Sequence, residues 1–93
     1  MTTLHLSGDG RRLEIRGDMT VRETPALLAE LPSYEGVTQV DLHAVDRVDS
    51  SALSVLLALS RSAGGARVTV QHAPPGLRSL GDLYGLQTLT WAV

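Results

Sequence analysis

Residues 38–63 read Thr-Gln-Val-Asp-Leu-His-Ala-Val-Asp-Arg-Val-Asp-Ser-Ser-Ala-Leu-Ser-Val-Leu-Leu-Ala-Leu-Ser-Arg-Ser-Ala, and the fold turns on them. Val40 and Leu42 alternate with polar neighbours, which predicts a strand over about 37–42. Ala44 to Asp49 reads as a six-residue connection, and a helix is predicted from Ser50 to residue 63. Asp49 stands where an N-cap belongs, because its carboxylate can accept the free N–H groups of the first turn. Ser50 and Ser51 then put hydroxyls beside unpaired amides and the positive end of the helix dipole, a place that suits a negative group. Taken alone, the same three residues also describe an ordinary helix cap.

At about 100° per residue, Ser50, Arg61, Ser54, Ala58, Ser51 and Ser62 share an arc of about 120° on this helix. The apolar remainder runs from Val55 through Leu59, Ala52, Leu56 and Leu53 to Leu57. It is roughly 200° wide, where one buried stripe needs little more than about 100°. Two neighbouring elements covering the helix explain that width. A docking margin at Val55 and Leu59, beside the small Ser51-Ser54-Ala58 strip, explains it as well, and the two readings are compatible.

Upstream, residues 2–7 and 11–16 alternate around the turn signal Gly8-Asp9-Gly10, so an antiparallel hairpin is predicted with Leu4, Leu6, Leu13 and Ile15 inward. Gly17 is expected to end the second strand. A helix is expected over about 21–31, with Thr20 as N-cap, Glu23 at capping-box spacing, Leu27, Leu28 and Leu31 as its buried stripe, and Pro32 as its stop. Downstream, Gly64-Gly65 ends the central helix, residues 67–71 form a strand, Pro74-Pro75-Gly76 leads into a helix ending near Tyr84, and residues 86–93 form a last strand. Strands alternating with helices imply an α/β fold, a four- or five-stranded mixed sheet with helices packed on it.

With 93 residues the chain makes one small domain, and 43% apolar with 19% charged residues places it among globular rather than disordered chains. The formal net charge of −2 and the three aromatics argue against a nucleic-acid partner. The absence of Cys excludes disulfides and thiolate zinc sites and fits the cytoplasm. The apolar run Leu53–Leu59 is too short to span a bilayer, so membrane association is expected only through a partner.

Little in the sequence points to catalysis. His5, His43 and His72 stand in no nucleophile-elbow, metalloprotease or deaminase spacing, and no metal or cofactor is expected. A Ser50–His43–Asp46 triad can be drawn on paper, but nothing supplies an oxyanion site or a cleft. The chain contains no Lys, which excludes a phosphate-binding loop of the Walker type.

The run Val40-Asp41-Leu42, Val45, Val48-Asp49-Ser50-Ser51-Ala52-Leu53 resembles the signature of STAS domains, in which an apolar strand ends in Asp-Leu and Asp-Ser/Thr-x-Gly-Leu opens a helix. Gly17-Asp18-Met19-Thr20 resembles the Gly-Glu-Leu-Asp turn of that family, and Asp82-Leu83-Tyr84-Gly85-Leu86 is similar to the end of the last helix in its MlaB branch. The resemblance covers nearly all of residues 1–93 and implies a single STAS domain with the architecture above. In the MlaB branch it implies an accessory subunit that binds the ATPase of a bacterial phospholipid ABC transporter, at the cytoplasmic face of the inner membrane, through the helix start and the face behind it: Ser50, Ser51, Ser54, Val55 and Ala58 here. In the anti-sigma-factor antagonists it implies phosphorylation by a partner kinase at the position of Ser50. Two departures bear on the latter: the family's Gly is Ala52, and an acidic residue near the switch is Thr20.

Overall fold

The computed structural model describes residues 2–30, 36–62, 67–83 and 89–92. The elements are β1 (Thr3–Leu6), β2 (Arg12–Met19), α1 (Thr24–Glu30), β3 (Gln39–Val48), α2 (Ser51–Ser62), β4 (Val68–Gln71), α3 (Pro75–Leu83) and β5 (Leu89–Trp91). Pro32, Ser33, Gly64, Gly65 and the Tyr84-Gly85-Leu86 segment lie outside the described residues, as do Leu31 and the side chain of Ser62.

Five strands form one mixed sheet in the order β1-β2-β3-β4-β5. β1 and β2 are the antiparallel hairpin, with Leu4 opposite Ile15 and Leu6 opposite Leu13. Its turn closes through the Gly10 N–H on the Ser7 carbonyl at 3.0 Å. Asp9 accepts the Arg11 N–H at 3.1 Å and the Ser7 hydroxyl at 2.6 Å. β2 to β5 are parallel, and each crossover moves one strand over in the same direction. Since such crossovers are right-handed, all three helices fall on one face of the sheet.

That face holds the core. Leu13, Ile15, Val40, Leu42, Val68, Val70 and Leu89 point to it from the strands, and Leu27, Ala52, Val55, Leu56, Leu59 and Leu77 meet them from the helices. α2 is the middle helix and packs against both α1 and α3, which accounts for its wide apolar arc. The opposite face is left to polar side chains such as Arg12, Arg16, Gln39 and His43.

Two boundaries differ from expectation for one reason. β2 runs on to Met19 and β3 to Val48, so residues 17–19 and 44–48 are strand instead of turn and connection. Glu14 pairs with Asp41 while Arg16 pairs with Ala44, and Gly17 pairs with Val45 while Met19 pairs with Val48. β3 therefore fits one extra residue at each of two bulges, and Gly17 (φ 99°) takes the left-handed backbone between them. At each bulge a carboxylate takes an N–H: Asp41 Oδ1 accepts from His43 at 2.9 Å, and Asp18 Oδ1 accepts from Arg47 at 3.2 Å. α1 begins at Thr24, after a turn at 21–23 in which the Glu23 carboxylate accepts the Thr20 N–H at 3.0 Å, the returning half of the expected capping box. Leu28 is 37% exposed, so of the stripe expected on this helix Leu27 alone among the described residues is buried. On β1, Leu6 is 43% exposed rather than inward.

Gly81 marks the closest approach of α3 to β5. A Cβ there would lie 2.5 Å from Cζ2 of Trp91. Gly81→Ala gains up to about 1 kcal/mol in helix propensity but overpacks the ring by about 1–3 kcal/mol. The expected net loss of about 1 kcal/mol lowers Tm by roughly 4–8 °C. In a Trp91→Leu background the same change should raise Tm, and a fall of equal size in both backgrounds would contradict the contact.

Candidate docking site at the start of the central helix

The site begins where β3 gives way to α2. The Ser51 N–H donates to Asp49 Oδ1 at 2.9 Å, and the Ser51 hydroxyl donates to the same oxygen. Asp49 is thus the cap that the sequence predicts, two residues before a helix that starts at Ser51 instead of Ser50. Its other oxygen has a role that the sequence does not reveal: Asp49 Oδ2 accepts the N–H of Val21 at 2.9 Å. One carboxylate therefore ties the turn leading into α1 to the first turn of α2. The bonds from the Ser51 hydroxyl and the Val21 N–H lower the Asp49 pKa, against the effect of burial.

Ser50 sits in the turn just ahead of the helix, exposed, and no hydrogen bond among the described residues uses its hydroxyl. Ser51 is half-buried with its hydroxyl committed to the cap. Ser54 is exposed and Ala58 half-buried on the same side of α2, which agrees with the polar arc. Val55 does not belong with them. It is completely buried, as is Leu59, because the flanking elements cover both edges of the apolar arc. The small side chains exposed along this side are Ser50, just ahead of α2, and Ser54 and part of Ala58 on it, while Val55 holds the helix to the sheet.

A second polar cluster lies on the helix-free face. Asp41 is 2% exposed and is surrounded by donors. Arg12 bonds its Oδ2, the His43 N–H and His72 Nδ1 reach Oδ1 at 2.9 Å and 3.0 Å, and His43 Nδ1 lies 3.2 Å from Oδ2. His72 holds a left-handed backbone (φ 56°) to do so. Burial pushes the Asp41 pKa up, but the bonds from the His43 N–H, His72, Arg12 and the His43 ring outweigh it and lower the pKa from 3.8 to about 2. Both histidines of the β3–β4 region are thereby engaged with Asp41, and the triad drawn from Ser50, His43 and Asp46 is not assembled. No group of three or more His, Cys, Asp or Glu among the described residues could hold a metal ion. No described helix is long and apolar enough to cross a membrane.

With this geometry in place, comparison with known proteins is informative. The family model described as Mlab, STAS domain, matches residues 2–91. No curated protein matches the chain. Among solved structures, it is similar to the anti-sigma factor antagonist SpoIIAA in its unphosphorylated form, with 18% identity and a TM-score of 0.68 over 100% of this chain and 87% of that one. It is equally similar to the phosphorylated form of SpoIIAA, the Bacillus cell fate determinant, with 18% identity and a TM-score of 0.68 over 100% of this chain and 92% of that one. At that identity the likeness is one of fold.

Because the folded pKa of Asp41 is depressed, its contribution to stability is present above about pH 4 and is lost as pH falls toward about 2. The shift corresponds to about 2 kcal/mol. Denaturant titrations of wild type and Asp41→Asn should therefore differ by about 2 kcal/mol or more at pH 7 and converge between pH 4 and pH 2. A difference independent of pH in that window would contradict the ionic role of Asp41.

Proposed function

Since the chain belongs to the MlaB-type STAS family, we propose that it is a non-catalytic interaction subunit that binds and supports the ATPase of a bacterial phospholipid-transport ABC complex. The reading takes residues 1–93 as a single STAS domain that works in the cytoplasm and meets the inner membrane only through that partner. One observation carries it. Ser50 is exposed, its hydroxyl has no bond among the described residues, and it stands beside a cap that Asp49 already supplies. Its carbonyl accepts the Leu53 N–H at 3.1 Å, but its hydroxyl is left available to a partner. Ser54 and Ala58 continue the strip with small side chains, which let another protein approach the helix closely.

A second reading draws on the same residue. As an anti-sigma-factor antagonist, the chain would be switched by a kinase that phosphorylates Ser50. The exposed hydroxyl and the fold shared with SpoIIAA support it. A phosphate would bring about −1.5 to −2 charges onto the docking strip. Ala52 in place of the family's Gly and Thr20 in place of its acid weigh toward the transporter reading. Neighbouring genes separate the two, an ABC ATPase and permease for the first and a sigma factor with a kinase for the second.

Substitution at Ser50 tests the site in either case. Ser50→Ala should cost well under about 1 kcal/mol, because Asp49 is the cap. Ser50→Arg sets a cation at the positive end of α2, a loss of about 0.3–1 kcal/mol. Its bulk and charge cost a docked interface several times more. The expected result is a variant that melts close to wild type and no longer pulls down the ATPase. Unchanged affinity would overturn the docking site, and Ser54→Arg provides the same test if the first variant does not fold.

A further inference from the structure

α1 is short, and its solvent side is almost wholly apolar. Pro25, Ala26, Leu28 and Ala29 are all exposed, and Val21, in the turn ahead of the helix, is 68% exposed. The backbone already turns helically there, since the Thr24 N–H reaches the Thr20 carbonyl at 3.1 Å and the Leu27 N–H reaches Glu23 at 3.0 Å. Val21, Pro25 and Leu28 therefore fall at i, i+4 and i+7, one stripe on the side of the helix away from the core. An apolar stripe bare along its length, on a helix whose charges are confined to its ends, is the kind of surface that marks a protein interface.

Two features say what covers it. The first is position. The Val21 N–H is bound to Asp49 Oδ2, while Asp49 Oδ1 holds the start of α2, so the stripe begins beside Ser50. The start of the stripe and Ser50 thus adjoin at a single carboxylate, that of Asp49. The second is charge. Arg22 adjoins Val21, and Arg61 lies on the exposed arc of α2 about three turns beyond Ser50; both are exposed. The carboxylates nearby keep their charge but are directed inward, Glu23 to Thr20 and Asp49 to Val21 and Ser51. Glu30 stands at the far end of α1, about half a turn round from Val21. Arg22 enters no ion pair among the described residues, so it offers an unpaired cation beside Val21. A stripe one short helix long is also too small for a stable pair of copies, which needs about 1,000 Å² or more of buried surface.

We infer that the partner docked at Ser50 also covers α1, with an apolar segment seated on Val21, Pro25 and Leu28 and an acidic side chain facing Arg22. This rests on the ATPase reading above and names the chemistry of the ATPase surface that fits. Val21 and Leu28 supply the apolar anchors that Val55, being buried, does not.

The test measures the affinity of the full chain for the ATPase of its own ABC complex, for wild type, Val21→Ser, Arg22→Glu and Ser50→Arg. Arg78→Glu, on the exposed side of α3, serves as control. Val21 and Arg22 are exposed, so these variants should melt like wild type. Val21→Ser and Arg22→Glu are each expected to weaken binding by about tenfold or more, with Arg78→Glu unchanged. The Arg22→Glu loss should shrink as salt is raised. If Ser50→Arg abolishes binding while Val21→Ser and Arg22→Glu leave it intact, the α1 inference is overturned and the docking site stands. If wild type itself does not bind the ATPase, the functional reading fails first. A concentration-dependent dimer of the free chain that Val21→Ser disrupts would assign the stripe to a second copy and overturn the inference too.

Discussion

Asp49 accepts one backbone N–H from the turn into α1 and one from the first turn of α2, and the relative placement of these two helix starts depends on it. Its Oδ1 caps α2 and its Oδ2 holds Val21 at the entry to α1. An isolated cap stabilises one helix by about 1 kcal/mol. A shared cap also fixes where the second helix begins relative to the first. That coupling leaves the Ser50 hydroxyl out of the cap and sets exposed Val21 next to it. Under the proposed function, the docking surface is a by-product of how the fold satisfies two sets of unpaired amides.

The same device recurs along β3. Each of its two bulges exposes a backbone N–H, and Asp41 and Asp18 accept them. Asp41 goes further, because it is buried on the solvent face of the sheet under Arg12, His43 and His72. An unpaired carboxylate would be costly there, and the ring of donors lowers its pKa instead. The two faces of the sheet are thus held differently, one by packed aliphatic side chains and the other by a charge with its partners.

The order of elements and the central cap were legible because both rest on local chemistry. The alternation around Val40 and Leu42, the Asp49-Ser50-Ser51 join and the hairpin at Gly8-Asp9-Gly10 each report their own structure. The long β2–β3 pairing was not legible, because a bulge interrupts the two-residue period by which a strand is recognised. Asp46-Arg47 then reads as a loop, although it lies in a strand. Val55 was misjudged at the margin of an arc whose width reflects cover from both sides. The Asp41 cluster joins residues from three strands or their ends, and only His43, two places along the same strand, gave any local hint. The link between Asp49 and Val21 spans 28 positions and has no signature in sequence.

The account assigns the partner to the helical edge formed by α1 and the start of α2, not to the charged face of the sheet. Cross-saturation by NMR addresses that claim most directly, with the labelled chain bound to the unlabelled ATPase. The account predicts attenuated signals at Val21, Leu28, Ser50, Ser54 and Ala58, with His5, Arg16, His43 and Thr69 unaffected. Attenuation centred on the sheet face, with α1 and the α2 start silent, would contradict it.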